Sequence, residues 1–155
     1  MTDLFDDQSR AVLERRIDEW CARVCAEWTT VIDAGRAEDD PHRWFVRLRG
    51  DVKETITIWL QLGQRTLRHE TYVLPVPLTQ SEELLRYVLR RNERIVGHHF
   101  GIGAEDALHL YGELLLESLD EAELDRIVGS VYATIDRHFA ALVELAFPGL
   151  RQPSR

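Results

Sequence analysis

The stretch GIGAEDALHLYGELLLESLDEAELDRIVG, Gly101 to Gly129, decides the fold. It contains the end of one strand, a turn, a long second strand and the opening of a helix. Between Ala107 and Leu116, Leu108, Leu110 and Leu114 share one phase with Gly112, while His109, Tyr111 and Glu113 take the other. That period of two marks a strand covered on one face. Leu119 to Leu124 then starts a helix by local chemistry. Asp120 is the N-cap, Glu123 reaches back from the third helical position, and Leu119 staples to Leu124.

Working outward, the last helix is expected from Asp120 to Phe147, on a stripe of Leu124, Ile127, Val128, Val131, Ile135, Phe139, Leu142 and Val143. Pro148-Gly149 stops it, and the tail RQPSR (151–155) reads as disordered. Upstream, Val96 to Ile102 reads as the strand preceding Ala107–Leu116. A second helix is expected from Thr79, with Glu82 completing a capping box, to about Asn92. Its apolar residues Leu84, Leu85, Tyr87, Val88 and Leu89 cover an arc of about 200°, twice the minimal core-facing stripe. Leu84, Tyr87, Val88 and Arg91 therefore form a candidate outward stripe and homodimer interface.

Further back, Thr55–Leu62 and Thr66–Leu74 read as a hairpin turning at Gly63-Gln64, with Ile56, Ile58, Leu60 and Leu62 on one face. The phase of Thr66–Leu74 is ambiguous, since Leu67 and Val73 oppose Tyr72 and Leu74. Trp44 to Arg49 is a first strand ended by Gly50. A helix from Asp7 to Ala34 opens the chain, on a stripe through Leu13, Ile17, Trp20, Val24, Trp28 and Val31, with Gly35 as its stop. Trp20, Trp28, Ile58, Leu110, Ile135 and Phe139 are expected in the core. The order αβββαββα, with helices on one face of an antiparallel five-strand sheet, makes an α+β two-layer sandwich, read as one domain over residues 1–150.

The 155 residues suffice to bury about two thirds of the unfolded surface in one domain. Net charge is −8, from 19 basic and 27 acidic residues, which disfavours a general nucleic-acid binder. The charge is uneven: residues 41–95 hold ten Arg/Lys against six Asp/Glu, a balance of +4. No signal-peptide pattern or membrane-spanning apolar run is present, so the expectation is a cytoplasmic protein. Cys21 and Cys25, four apart on the first helix, read as two small buried side chains.

The sequence carries no phosphate-cradling GxxxxGK[ST] or GxGxxG, no nucleophile elbow and no cofactor signature. His98 and His99 are adjacent on a strand and point to opposite faces, so they cannot both chelate one ion without a bulge. His109 lies on the neighbouring strand, with His69 and Glu113 the conceivable additions. No metal site is assigned. His42 and His138 read as surface or helix-flank residues. If Ile56, Ile58, Leu60, Leu108 and Leu110 face the helices, the outer sheet face carries Phe45, Arg47, Arg49, Thr57, Trp59, His109 and Tyr111. Aromatics and arginines are enriched in binding hot spots. Phe45, Arg47, Trp59, His109 and Tyr111 are accordingly the candidate partner-binding residues.

The element order, with WLQLGQRTLRHETYVLP (Trp59–Pro75), LLRYVLRRN (Leu84–Asn92) and EDALHLYGELLLESLDEAELDRIVG (Glu105–Gly129), resembles the YbjN-domain family. The resemblance covers roughly Arg43 to Phe147. It implies a fold similar to type III secretion chaperones, homodimerisation and a non-enzymatic role, and it brings no catalytic residues. The reading is thus a chaperone-like or regulatory adaptor that binds a protein or peptide partner, without cofactor, nucleic acid or membrane. The alternative is a small-ligand or metal-sensing regulator using His98 or His99 with His109.

Overall fold

Thr55–Leu62 is a strand over the whole span its alternation demands, with Ile56, Ile58, Leu60 and Leu62 buried and the residues between them facing outward. The computed structural model describes residues 6–150. In chain order the elements are α1 (Asp7–Glu27), β1 (Val31–Arg36), β2 (Arg43–Arg49), β3 (Thr55–Leu62), β4 (Thr66–Pro75), α2 (Glu82–Asn92), β5 (His99–Ile102), β6 (Ala107–Leu115) and α3 (Glu121–Ala146). The strands form one antiparallel sheet of order β1-β2-β3-β4-β6-β5. The tail, 151–155, lies outside the described residues, and so does the expectation about it.

The sheet therefore has six strands, not five, and the added one comes from the end of the expected first helix. That helix stops at Glu27, and Trp28 caps it through its backbone N–H on the Val24 carbonyl. The following Trp28-Thr29-Thr30-Val31-Ile32 run is aromatic and β-branched, which loses side-chain freedom in a helix and fits a pleated surface. Val31–Arg36 consequently pairs with β2, and Gly35 sits opposite Phe45 as a strand residue, not a helix stop.

The helices cover the inner face of the sheet. The indole of Trp44 on β2, fully buried, donates to Asp18 of α1 at 2.8 Å. Trp20 of α1, also 0% exposed, donates to Asp125 of α3 at 2.7 Å. Phe100 on β5 packs edge-on against His138 of α3, with ring centroids 6.4 Å apart. Ile58, Leu110 and Ile135 are buried as expected, whereas Trp28 and Phe139 are only partly buried against the core. Each fully buried aliphatic side chain contributes about 1.5–3 kcal/mol of transfer free energy.

Helix starts divide by their caps. Asp120 accepts from the Glu123 N–H at 2.8 Å, as expected, while the Glu123 carboxylate is engaged by Arg126 at 2.8 Å. The Thr79–Glu82 capping box does not form. Gln80 turns the chain at φ 58°, and α2 begins at Glu82 behind Ser81, which makes no side-chain cap bond. β5 starts three residues late because Gly97 adopts φ 86°, breaking the extended run. The ambiguous phase of β4 has a physical origin. A register shift between Tyr72 and Leu74 turns both Val73 and Leu74 inward, after Leu67, His69 and Thr71 have set the inner phase.

A candidate partner-binding sheet face

Cross-strand register assembles the outward side chains into rows. Phe45, Trp59, Glu70, Tyr111 and His99 are successive partners across β2, β3, β4, β6 and β5. Beside this lane, Arg43, Gln61, Arg68 and Glu113 form a second row across β2, β3, β4 and β6. Strand pairs bring such side chains within contact, and aromatic pairs gain most. The Phe45 and Trp59 rings are 5.8 Å apart, and Tyr111 lies 6.0 Å from His99 and 5.5 Å from His109.

The arginines lie over these rings. Arg43 stacks on Trp59 at 4.1 Å, Arg47 on Phe45 at 5.7 Å and Arg68 on Tyr111 at 5.2 Å. A guanidinium over an aromatic face is held by the ring quadrupole while its N–H edge remains available. Arg43 also pairs with Glu70 at 3.3 Å. Together Arg43, Trp59, Gln61, Arg68, Glu70 and Tyr111 line an open hollow of about 300 Å³. The Tyr111 hydroxyl is held above its ordinary pKa, first by burial and then by the Glu70 carboxylate, with Arg68 opposing.

The glycine pair of the β5–β6 hairpin makes this arrangement possible. A side chain at Gly103 would overlap the Tyr111 hydroxyl and come within 2.8 Å of His109 Nδ1, and one at Gly101 would crowd the Tyr111 ring. With both positions bare, Tyr111 lies across the edge strand and its hydroxyl meets His109 Nδ1 at 3.1 Å. All five candidate partner-binding residues therefore share one face, Arg47 exposed and Phe45, Trp59, His109 and Tyr111 half-buried. The sequence reading missed Arg43, Arg68, Glu70 and His99. Arg43 lies in the same phase as Phe45. Arg68 and Glu70 were hidden by the unresolved phase of β4.

The stripe expected on α2 is corrected. Leu84 is 0% and Val88 4% exposed, because both point into the core and neither faces outward. Tyr87 is half-buried, its hydroxyl bonded to His138 Nδ1 at 2.9 Å and its ring under Arg91 at 4.8 Å. The apolar surplus of the helix lies at Leu85 and at Leu89, which is 68% exposed.

The histidines also separate. His98 points inward to Thr134 Oγ1 at 2.8 Å, and His99 outward to Tyr111, as adjacency on a strand requires. His109 shares the outer face, so His98 and His109 do not converge. His69 is 2% exposed on the inner face of β4, its ring 6.2 Å from His98. Burial drives the His69 pKa down to about 4, and the His98 pKa is lowered by the same cause. His138 is buried, contrary to the surface reading, while His42 is exposed and bonded to Glu14 at 2.6 Å. Among the described residues no group of three or more His, Cys, Asp or Glu is placed to hold a metal ion. Cys21 is buried, its thiol pushed up to about 12 by desolvation, but Cys25 is exposed.

These features define a two-layer α+β protein with one sheet face packed on helices and the other open. The same fold occurs in chains of three solved assemblies. One is the heterodimeric complex ExoU–SpcU from the type III secretion system of Pseudomonas aeruginosa (TM-score 0.57, 16% identity, 85% of this chain and 98% of that one). Another is the ExsC–ExsE complex (0.58, 16%, 85% and 94%), and the third the HopA1–SchA chaperone–effector complex (0.60, 15%, 87% and 98%). The chain belongs to the YbjN family, whose sequence profile, described as "Putative bacterial sensory transduction regulator", matches residues 16–144. Uncharacterized proteins of Mycobacterium tuberculosis and Mycobacterium bovis are 34% identical over 107 residues, 69% of this chain and 58% of theirs. One from Mycobacterium leprae is 29% identical over 105 residues, 68% of this chain and 57% of that protein. The matched stretch thus spans less than two thirds of these relatives.

Proposed function

We propose that this protein is a non-catalytic, chaperone-like adaptor that holds a segment of a protein partner on the open face of its sheet. The observation that carries the reading is the lane of Phe45, Trp59, Glu70, Tyr111 and His99, overlaid by Arg43, Arg47 and Arg68 and left uncovered by any helix among the described residues. Aromatic and arginine side chains are the types that dominate binding energy at interfaces. The likeness to chains from chaperone–effector and other type III secretion complexes supports it at the level of fold. In this reading the protein works in the cytoplasm. No helix among the described residues is long and apolar enough to cross a membrane. The test is a photo-crosslinking residue in place of Trp59 in the native cell. Capture of one defined protein, competed by excess unmodified chain, is the expected result, and the absence of any defined adduct would refute the reading.

The adaptor acts as a homodimer joined through α2. Half-buried Leu85 and exposed Leu89 form an apolar seam, flanked by Glu82 and Glu93 and by Arg86 and Arg90. Antiparallel packing of two such helices sets the acidic start of one beside the basic end of the other. Light scattering at micromolar concentration should report about twice 18.0 kDa. Leu89→Glu should shift that mass toward one chain, and a wild-type mass of one chain removes the idea.

A further inference from the structure

The two outward rows differ in chemistry, and the difference specifies a ligand. We propose that the outer face recognises an extended acidic segment of about six residues, laid across the strands. Its apolar side chains rest on the Phe45–Trp59–Tyr111 lane and its carboxylates on Arg43 and Arg68. This rests on the reading above that the face holds a partner protein, and names the chemistry of the segment.

Length follows from the lane. Phe45 on β2 and His99 on β5 are four strand spacings apart, about 19 Å at ~4.8 Å each, which about six extended residues at ~3.3 Å span. Charge follows from the neighbouring row. The guanidinium carbons of Arg43 and Arg68 lie 4.1 and 5.2 Å from the Trp59 and Tyr111 ring centroids, and a guanidinium held over a ring can still take a carboxylate through its N–H edge. Arg43 spends one nitrogen on Glu70, and among the described residues Arg68 makes no ion pair. The chain carries −8 overall, while residues 41–95, which hold these arginines and those of α2, balance to +4. An acidic segment is repelled by the acidic remainder of the chain and steered to its arginine-bearing faces, of which the sheet face alone adds the aromatic lane.

A single-stranded RNA fits this face less well. Its phosphates recur at every nucleotide, and along the lane they would meet Glu70, which stands between Trp59 and Tyr111. A peptide can keep its carboxylates to the arginine side.

The test is selection of random twelve-residue peptides on the immobilised full chain, followed by fluorescence anisotropy of the enriched sequences. Enriched peptides should carry an excess of Asp and Glu beside aromatic or aliphatic residues. Arg43→Ala with Arg68→Ala should weaken them at least about tenfold, the loss expected for two charge-assisted hydrogen-bonded contacts. Trp59→Ala should weaken acidic and neutral peptides alike, and thermal melts should show that each variant folds. Enrichment of neutral or basic peptides, or acidic ones indifferent to the arginine variant, overturns the acidic specificity and leaves the adaptor reading standing. No enrichment overturns the peptide segment, and coupled with no Trp59 crosslink overturns the adaptor reading as well. Tighter binding of a twelve-residue oligouridine, lost in the same variants, assigns the face to nucleic acid.

Discussion

Lowering the pH from 7 to 5 should destabilise this protein through His69. The ring is 2% exposed on the inner face of β4, and its Nδ1 has no hydrogen-bond partner. Burial, helped by His98, Arg126 and His99, lowers its pKa from 6.5 to about 4. Between those values the unfolded chain binds the proton and the folded chain does not, so stability falls as pH drops from 6.5 and the loss is complete below 4. The fall from 6.5 to about 4 is worth at most about 3–4 kcal/mol, of which about 2 should already be lost at pH 5. His69→Leu, similar in volume and unable to titrate, provides the comparison. Urea unfolding at pH 7 and pH 5 should show wild type losing about 2 kcal/mol more than the variant. His98 and His138, also lowered by burial, act in the same direction in both proteins and cancel. Equal losses in the two proteins, or an imidazole resonance of folded His69 titrating near 6.5, would refute the argument.

Two other substitutions test the packing. Ile135→Ala, at a position 1% exposed in the middle of α3, should cost about 2–5 kcal/mol in denaturant unfolding. Ile135→Asp should not fold, and a stable Asp variant would remove Ile135 from the core. Gly112→Ala should destabilise by about 1–3 kcal/mol, because the added methyl would overlap the His69 ring and lie 2.6 Å from the Gly97 carbonyl oxygen. An unchanged melting temperature would show that the β6 backbone can retreat from that contact.

Where periodicity and cap chemistry agreed, the chain was legible on its own. β3, β6 and α3 follow from alternation in 55–62 and 107–115 and from the Asp120 cap, and the outward placement of Phe45, Arg47, Trp59, His109 and Tyr111 follows from those phases and from the alternation in 44–49. These are local rules, satisfied within a few residues of each position. Other features needed the tertiary structure. Val31–Arg36 continues a helical stripe in sequence, but pairing with β2 gives its β-branched run a sheet edge to join. The phase of β4 could not be read because its bulge answers to β6, far away in the chain. The outward stripe of α2 was misassigned because Leu84, Leu85, Val88 and Leu89 are equally apolar, and only docking against α3 and β5 selects the face that is buried. The lane from Phe45 to His99 is likewise a product of register, since it joins side chains from five strands whose spacing along the chain carries no trace of their contact.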